Sequence, residues 1–214
     1  MIFLKLFKLK FSKKTRRIAP HTSGFTLIEI MVASAIFIVV MTISLGSILS
    51  IVDGNKRILT LASVMNNLNL AVEDMSRTMR LGTTYHCGTG GTLNIPLDCP
   101  SGDTFIALEQ AGGNSTTLGD QVVYKLIPHS RYPGDPDKFQ LVKSVDGGNN
   151  FIPMTASEIV ITNMKFYVIG SLPNDNMQPK VVIVLQGFSG DTIRTQSSFS
   201  IQTTVSQRIP DFNQ

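Results

Sequence analysis

The chain has 214 residues, 43% hydrophobic and 16% charged, with 19 Lys and Arg against 15 Asp and Glu for a formal net charge of +4. That balance excludes a disordered polyelectrolyte, and a single stretch apolar enough to cross a bilayer excludes a multi-span transporter. The sequence pI near 9.1 invites a nucleic-acid reading only until the charges are located.

Seven basic residues fall in the first 17 positions (Lys5, Lys8, Lys10, Lys13, Lys14, Arg16 and Arg17), and no acidic residue precedes Glu29. From residue 25 onward 12 basic residues face 15 acidic ones, a formal charge of −3. The basicity belongs to one short end. In the remainder Lys125, Arg131, Lys138 and Lys143 are scattered and give no stripe for nucleic acid.

Behind the basic segment, Ile30 to Val52 form 23 residues without a charge. At about 1.5 Å per residue they suffice to cross a hydrocarbon core of about 30 Å. Positive charge before the run and no such cluster after it predict a cytoplasmic N-terminus and an external C-terminus. A secretory signal would place its cut after a shorter apolar core. An uncleaved signal anchor explains the charge and hydrophobicity equally well, but not Glu29. A carboxylate at that depth costs about 2–3 kcal/mol even on lenient scales, which marks it as functional unless it snorkels to the interface.

Gly24-Phe25-Thr26-Leu27-Ile28-Glu29-Ile30-Met31-Val32-Ala33 resembles the cleavage and methylation signature of type IV pilins and type II secretion pseudopilins. The resemblance implies a leader, residues 1–24, cut between Gly24 and Phe25 by a prepilin peptidase that then N-methylates Phe25. It implies that Glu29 neutralises the new ammonium of a neighbouring subunit as helices stack into a filament. The implied partners are the peptidase, other pilin or pseudopilin subunits, the inner-membrane assembly platform and the lipid bilayer. The implied location is the inner membrane, then the pilus or pseudopilus. The chain is then a substrate and not an enzyme, and no pattern in it asks for a cofactor.

After a membrane and assembly helix over 25–52, the pattern turns amphipathic over 53–82. Ile58, Leu61, Met65, Leu68, Val72, Met75 and Met79 recur at steps of three and four, one helical stripe suited to packing on the protein's own sheet. No proline lies between Pro20 and Pro96, so residues 25 to about 81 read as one helix of roughly 85 Å. Gly46 and the Asp53-Gly54 pair are its weak points, at about 1 kcal/mol for each interior glycine.

Residues 83–214 read as a β-rich head with strands at 104–110, 121–127, 138–145, 158–169, 180–188 and 192–208. The 180–185 run is apolar on both faces and suits a central strand covered by the helix. Turns fall at Asp146-Gly147-Gly148-Asn149 and Ser189-Gly190-Asp191. The fold class expected is α+β, a long N-terminal helix packed on an antiparallel sheet. The polar last strand is similar to the close of J-type or related minor pseudopilins.

Cys87 and Cys99 are the only cysteines, and an external location favours a disulfide over free thiols or, with His86 adjacent, a metal site. Asp135, Asp137 and Asp146 are weak calcium candidates whose spacing fits no twelve-residue loop, so solvated turn carboxylates are the favoured reading. His86 and His129 are the only histidines past the leader, and no Gly-x-Ser-x-Gly motif accompanies them. The competing function is a membrane-anchored exported protein whose head captures DNA, a surface or a secretion substrate. That protein has no need of Gly24-Phe25 or Glu29.

Overall fold

The computed structural model describes residues 24–173, 175–190 and 196–208. Residues 1–23 of the expected leader and positions 192–195 of the last expected strand lie outside the described residues. The chain divides into two units, one ending at Ile48 and one beginning at Leu49.

Helix α1 runs Leu27–Leu81 and passes through Gly46 and Gly54 without a break. Up to Val52 its large apolar side chains are exposed, Ile36 and Ile43 among them at 60% and 68%. Three of its hydroxyls bond back into its own backbone. Ser34 donates to the Met31 carbonyl at 2.9 Å, and Thr42 and Ser44 to those of Ile38 and Val40 at 2.8 Å. Those bonds satisfy the Ser34, Thr42 and Ser44 hydroxyls without water.

The second unit is an eight-stranded antiparallel sheet against the C-terminal part of α1. Its strands are β1 (Thr83–Cys87), β2 (Phe105–Glu109), β3 (Gln121–Pro128), β4 (Phe139–Ser144), β5 (Ile152–Pro153), β6 (Ile159–Ile169), β7 (Lys180–Ser189) and β8 (Ser197–Ser206). Their order is β1-β2-β3-β4-β6-β7-β8, with β5 paired to β4. The α+β class and five of the six expected strands agree within a residue at each end. The sixth keeps its alternation, with Phe199 and Val205 buried between exposed neighbours.

Three expectations are corrected. The helix stripe facing the sheet is Val64, Leu68, Ala71, Met75 and Met79, whereas Ile58, Leu61 and Met65 are exposed. The sheet meets the helix only from Val64 onward; there Leu68, Met75 and Met79 are buried as expected, Val72 is half-buried against the core, and Val64 and Ala71 join them. The β7 strand is paired on both sides yet buried on one face only. Val181, Ile183 and Leu185 enter the core, while Val182 and Val184 stay half-buried opposite. Strands β1 and β5 were not expected at all.

Strand β1 follows the helix with only Gly82 between them. A Cβ there would come within 2.3 Å of Leu108 Cδ1 and 2.8 Å of the Glu109 carbonyl oxygen. Glycine lets the helix end lie directly on β2. The β1 register then shifts at Thr84, whose φ is +51°, a bulge that hides the strand from a simple alternation.

Between β4 and β6 the pairing is short, with Phe139 opposite Ile161 as the sole register pair. The rest of that edge of β6 is served by the segment after β1. Cys99 N–H donates to the Val168 carbonyl at 3.0 Å, and Asp103 and Phe166 exchange backbone bonds of 2.9 and 2.7 Å. Asp98 clasps the end of β6, accepting from the Gly170 and Ser171 amides at 3.0 and 2.9 Å. The core lies between these strands and the helix, with Leu68, Met75, Met79, Tyr124, Phe166 and Ile183 essentially inaccessible.

Candidate functional site

The sequence places its most specific chemistry at residues 24–29, just before and within the first turn of α1. Thr26 is the residue before the helix. Its carbonyl accepts from the Glu29 and Ile30 amides at 3.1 and 3.3 Å. The Glu29 carboxylate reaches back, and its Oε2 accepts from the Thr26 backbone N–H and from the Thr26 hydroxyl, both at 2.9 Å. The Glu29 amide is 3.4 Å from Thr26 Oγ1. This is a reciprocal capping box, in which two groups the helix would leave unpaired are satisfied. Its signal, Thr-x-x-Glu ahead of an apolar run, was present in the sequence and went unread.

The box also sites a negative charge at the positive end of the helix dipole. Phe25, on the other side of Thr26, is 83% exposed. Gly24 has open space around the position of a Cβ, so among the described residues nothing packs against the Gly24–Phe25 bond from that side. Among the described residues α1 alone is long and apolar enough to cross a membrane.

Residues 20–45 match the family model for the prokaryotic N-terminal methylation motif.

The match spans the basic-to-apolar junction, Gly24, Phe25 and Glu29, and stops short of the head. No curated protein and no solved structure matches the chain. The motif therefore speaks for the N-terminal segment, and the head is read from its own geometry.

In the head, Cys87 and Cys99 form a disulfide with their Cα atoms 5.7 Å apart. It closes the segment that fills the gap along β6. His86, next to Cys87, is buried with Nδ1 2.7 Å from the Ile95 carbonyl oxygen, and its Nε2 has no hydrogen-bond partner among the described residues. His129 is buried as well. Its Nε2 lies 3.2 Å from the Ile159 carbonyl oxygen, and its Nδ1 accepts from the Arg131 amide at 3.1 Å. Burial lowers the His129 pKa and the Arg131 charge lowers it further, while the Ile159 bond opposes them.

The structure does not assemble Asp135, Asp137 and Asp146 into a site. Asp135 pairs with Lys138 at 2.9 Å and accepts from the Asp137 amide at 3.1 Å. Asp146 accepts from the Asn149 and Asn150 amides and from the Ser144 hydroxyl and is held near a pKa of about 2, chiefly by the Ser144 bond. Among the described residues no group of three or more His, Cys, Asp and Glu is arranged to hold a metal ion.

Proposed function

We propose that this chain is a type IV pilin or type II secretion pseudopilin precursor, cut between Gly24 and Phe25 and N-methylated at Phe25 by prepilin peptidase. The observation that carries this reading is the methylation motif over residues 20–45, seated on a helix whose apolar first half is exposed among the described residues. Apolar side chains at 60% exposure and above, such as Ile36, Ile43 and Ile51, need lipid before assembly and neighbouring subunits after it.

The basic first 17 residues support an N-terminus held in the cytoplasm and a head outside the inner membrane. The disulfide suits that external, oxidising side. In this reading Phe25, Glu29 and the apolar helix are the working parts, the chain's role is structural, and its partners are the peptidase, other subunits and the assembly platform. The finer assignment to a J-type minor pseudopilin is supported by the size of the head and its polar last strand.

Mass analysis of the N-terminus of membrane-extracted protein tests the proposal. A methylated Phe25 start is expected, whereas an intact Met1 means an anchored exported protein instead. Glu29→Val is expected to leave cleavage intact and to impair incorporation into filaments; normal incorporation would remove the charge-pairing role.

A further inference from the structure

We propose that the cleft between α1 and the adjoining ends of β6 and β7 binds the headgroup of an ethanolamine phospholipid. The proposal rests on the reading of Ile30 to Val52 as a membrane-spanning segment. The cleft has a volume of about 400 Å³, and its lining includes Thr60, Ser63 and Asn67 of α1 and Glu158, Ile159 and Ser189 of the sheet side. Ile159 opens β6, Ser189 closes β7, and the two are register partners. Val64, the first buried residue of the helix, marks where helix and sheet part. The cleft is the mouth left below that contact.

Its height fits a headgroup. Leu59, at the lower rim, lies seven residues past Val52, the last of the uncharged run, which is no more than about 10 Å along the helix. A polar layer of roughly 5–8 Å separates the hydrocarbon edge from water, so headgroups reach the mouth of the cleft. Exposed Lys56 stands one turn nearer the bilayer, on the same helix face as Thr60, Ser63 and Asn67. Helix side chains lean toward the N-terminus, so the Lys56 stem runs down to the phosphate layer, where its charge is solvated.

The lining is rich in acceptors. Glu158 brings a carboxylate that receives only a long 3.4 Å contact from the Ser157 hydroxyl and has no ion pair among the described residues. Asn67 directs its amide donor to the Ser63 carbonyl at 3.3 Å, which leaves its Oδ1 to accept. Thr60 and Ser63 add hydroxyls. Ser189 is 0% exposed and its Oγ has no partner among the described residues, an orphan of a kind that native structures seldom keep. A primary ammonium has three donors and matches this set. A trimethylammonium has none and is held by aromatic faces, and no lining residue is aromatic.

The order of the charges also agrees. An ethanolamine headgroup presents a phosphate at the bilayer and an ammonium beyond it, joined by two carbons. Lys56 lies below the cleft, and Glu158 lines it beside helix residues that all stand farther from the bilayer than Lys56. The lysine attracts any phospholipid, whereas the carboxylate selects the ammonium. On the sheet side the Ile159 amide donates to the Ala156 carbonyl at 3.0 Å, closing the turn that carries Glu158. An occupied cleft holds that turn shut, and its amide reports the occupant.

The test reconstitutes the full chain in vesicles of phosphatidylglycerol mixed with either phosphatidylethanolamine or phosphatidylcholine at one ratio. Resistance to alkaline extraction is expected in both; a chain extracted from both overturns the membrane-spanning reading and the site with it. Hydrogen exchange at the Ile159 amide is then expected to be about threefold slower in the ethanolamine vesicles, the factor for a headgroup at roughly twice its Kd. Amides of β8 are expected to exchange alike in both. Glu158→Gln is expected to abolish the difference and Lys56→Gln to reduce it. Equal exchange of the wild-type chain in the two vesicles overturns the site, as does a difference that persists undiminished in Glu158→Gln. Equal slowing by free O-phosphoethanolamine in choline vesicles overturns the bilayer as the source. Slowing that follows protein density in choline vesicles gives the cleft to a second copy and overturns the proposal too.

Discussion

The Oε2 atom of Glu29 accepts from both the backbone N–H and the hydroxyl of Thr26 at 2.9 Å. Both bonds fall on one oxygen, and a carboxylate has about four acceptor sites. Oε1 therefore remains for a second donor, such as the ammonium that cutting at Phe25 would create. Capping its own helix and pairing with a neighbour are compatible duties for one side chain.

Thr26→Val isolates the first duty, because valine keeps the shape and the backbone N–H and removes only the hydroxyl. The start of α1 is expected to weaken by about 0.5–1 kcal/mol. Amide exchange at Glu29 and Ile30 should quicken while amides of the head keep their protection. Unchanged exchange at those two positions would show that the hydroxyl contributes nothing to the cap.

The helix shows both the reach and the limit of a pattern read from sequence. Its existence, length and the burial of Leu68, Met75 and Met79 followed from period and from the absence of proline. The choice of Ile58, Leu61 and Met65 over Val64 and Ala71 failed because the period fixes a stripe but not where the sheet begins. A stripe of apolar residues on a helix bound for lipid or other subunits looks like one bound for a core. Strand β1 was missed since Thr83-Thr84-Tyr85-His86-Cys87 is short, polar and bulged at Thr84. The pairing of Glu109 with Gln121 was invisible for another reason: only the β2–β3 register brings residues twelve apart face to face.

Paired substitutions test the corrected stripe. Leu68→Ala, at 0% exposure, is expected to destabilise the head by about 2–5 kcal/mol through the cavity it leaves. Leu61→Ala, at 40% exposure, should change the denaturation midpoint by far less. Equal losses in the two variants would restore the stripe read from the sequence.

Removing the disulfide with a Cys87→Ala, Cys99→Ala double variant is expected to cost about 2–3 kcal/mol, from the lost restraint on a loop of this size. The effect should be strongest where the loop meets β6. The Cys99 amide bond to Val168 and the Asp98 clasp on Gly170 and Ser171 should become the first to open in hydrogen exchange. A midpoint within error of wild type would mean that those backbone bonds hold the segment without the covalent link.

His129 makes the head sensitive to mild acid. Its Nδ1 accepts from the Arg131 amide, which requires that nitrogen to be unprotonated, so the ring is neutral with its proton on Nε2, donated toward Ile159. Burial lowers its pKa below the usual histidine value, so as pH falls the unfolded chain binds a proton before the folded one does. Stability contributed by the neutral ring is whole above the unfolded pKa near 6.5 and drains away as pH drops toward the folded pKa. Denaturant midpoints of the wild-type chain should therefore fall between about pH 7 and pH 5 more steeply than those of His129→Gln. Carboxylates common to both chains cancel in that comparison, and parallel pH profiles would assign the acid sensitivity to some other group.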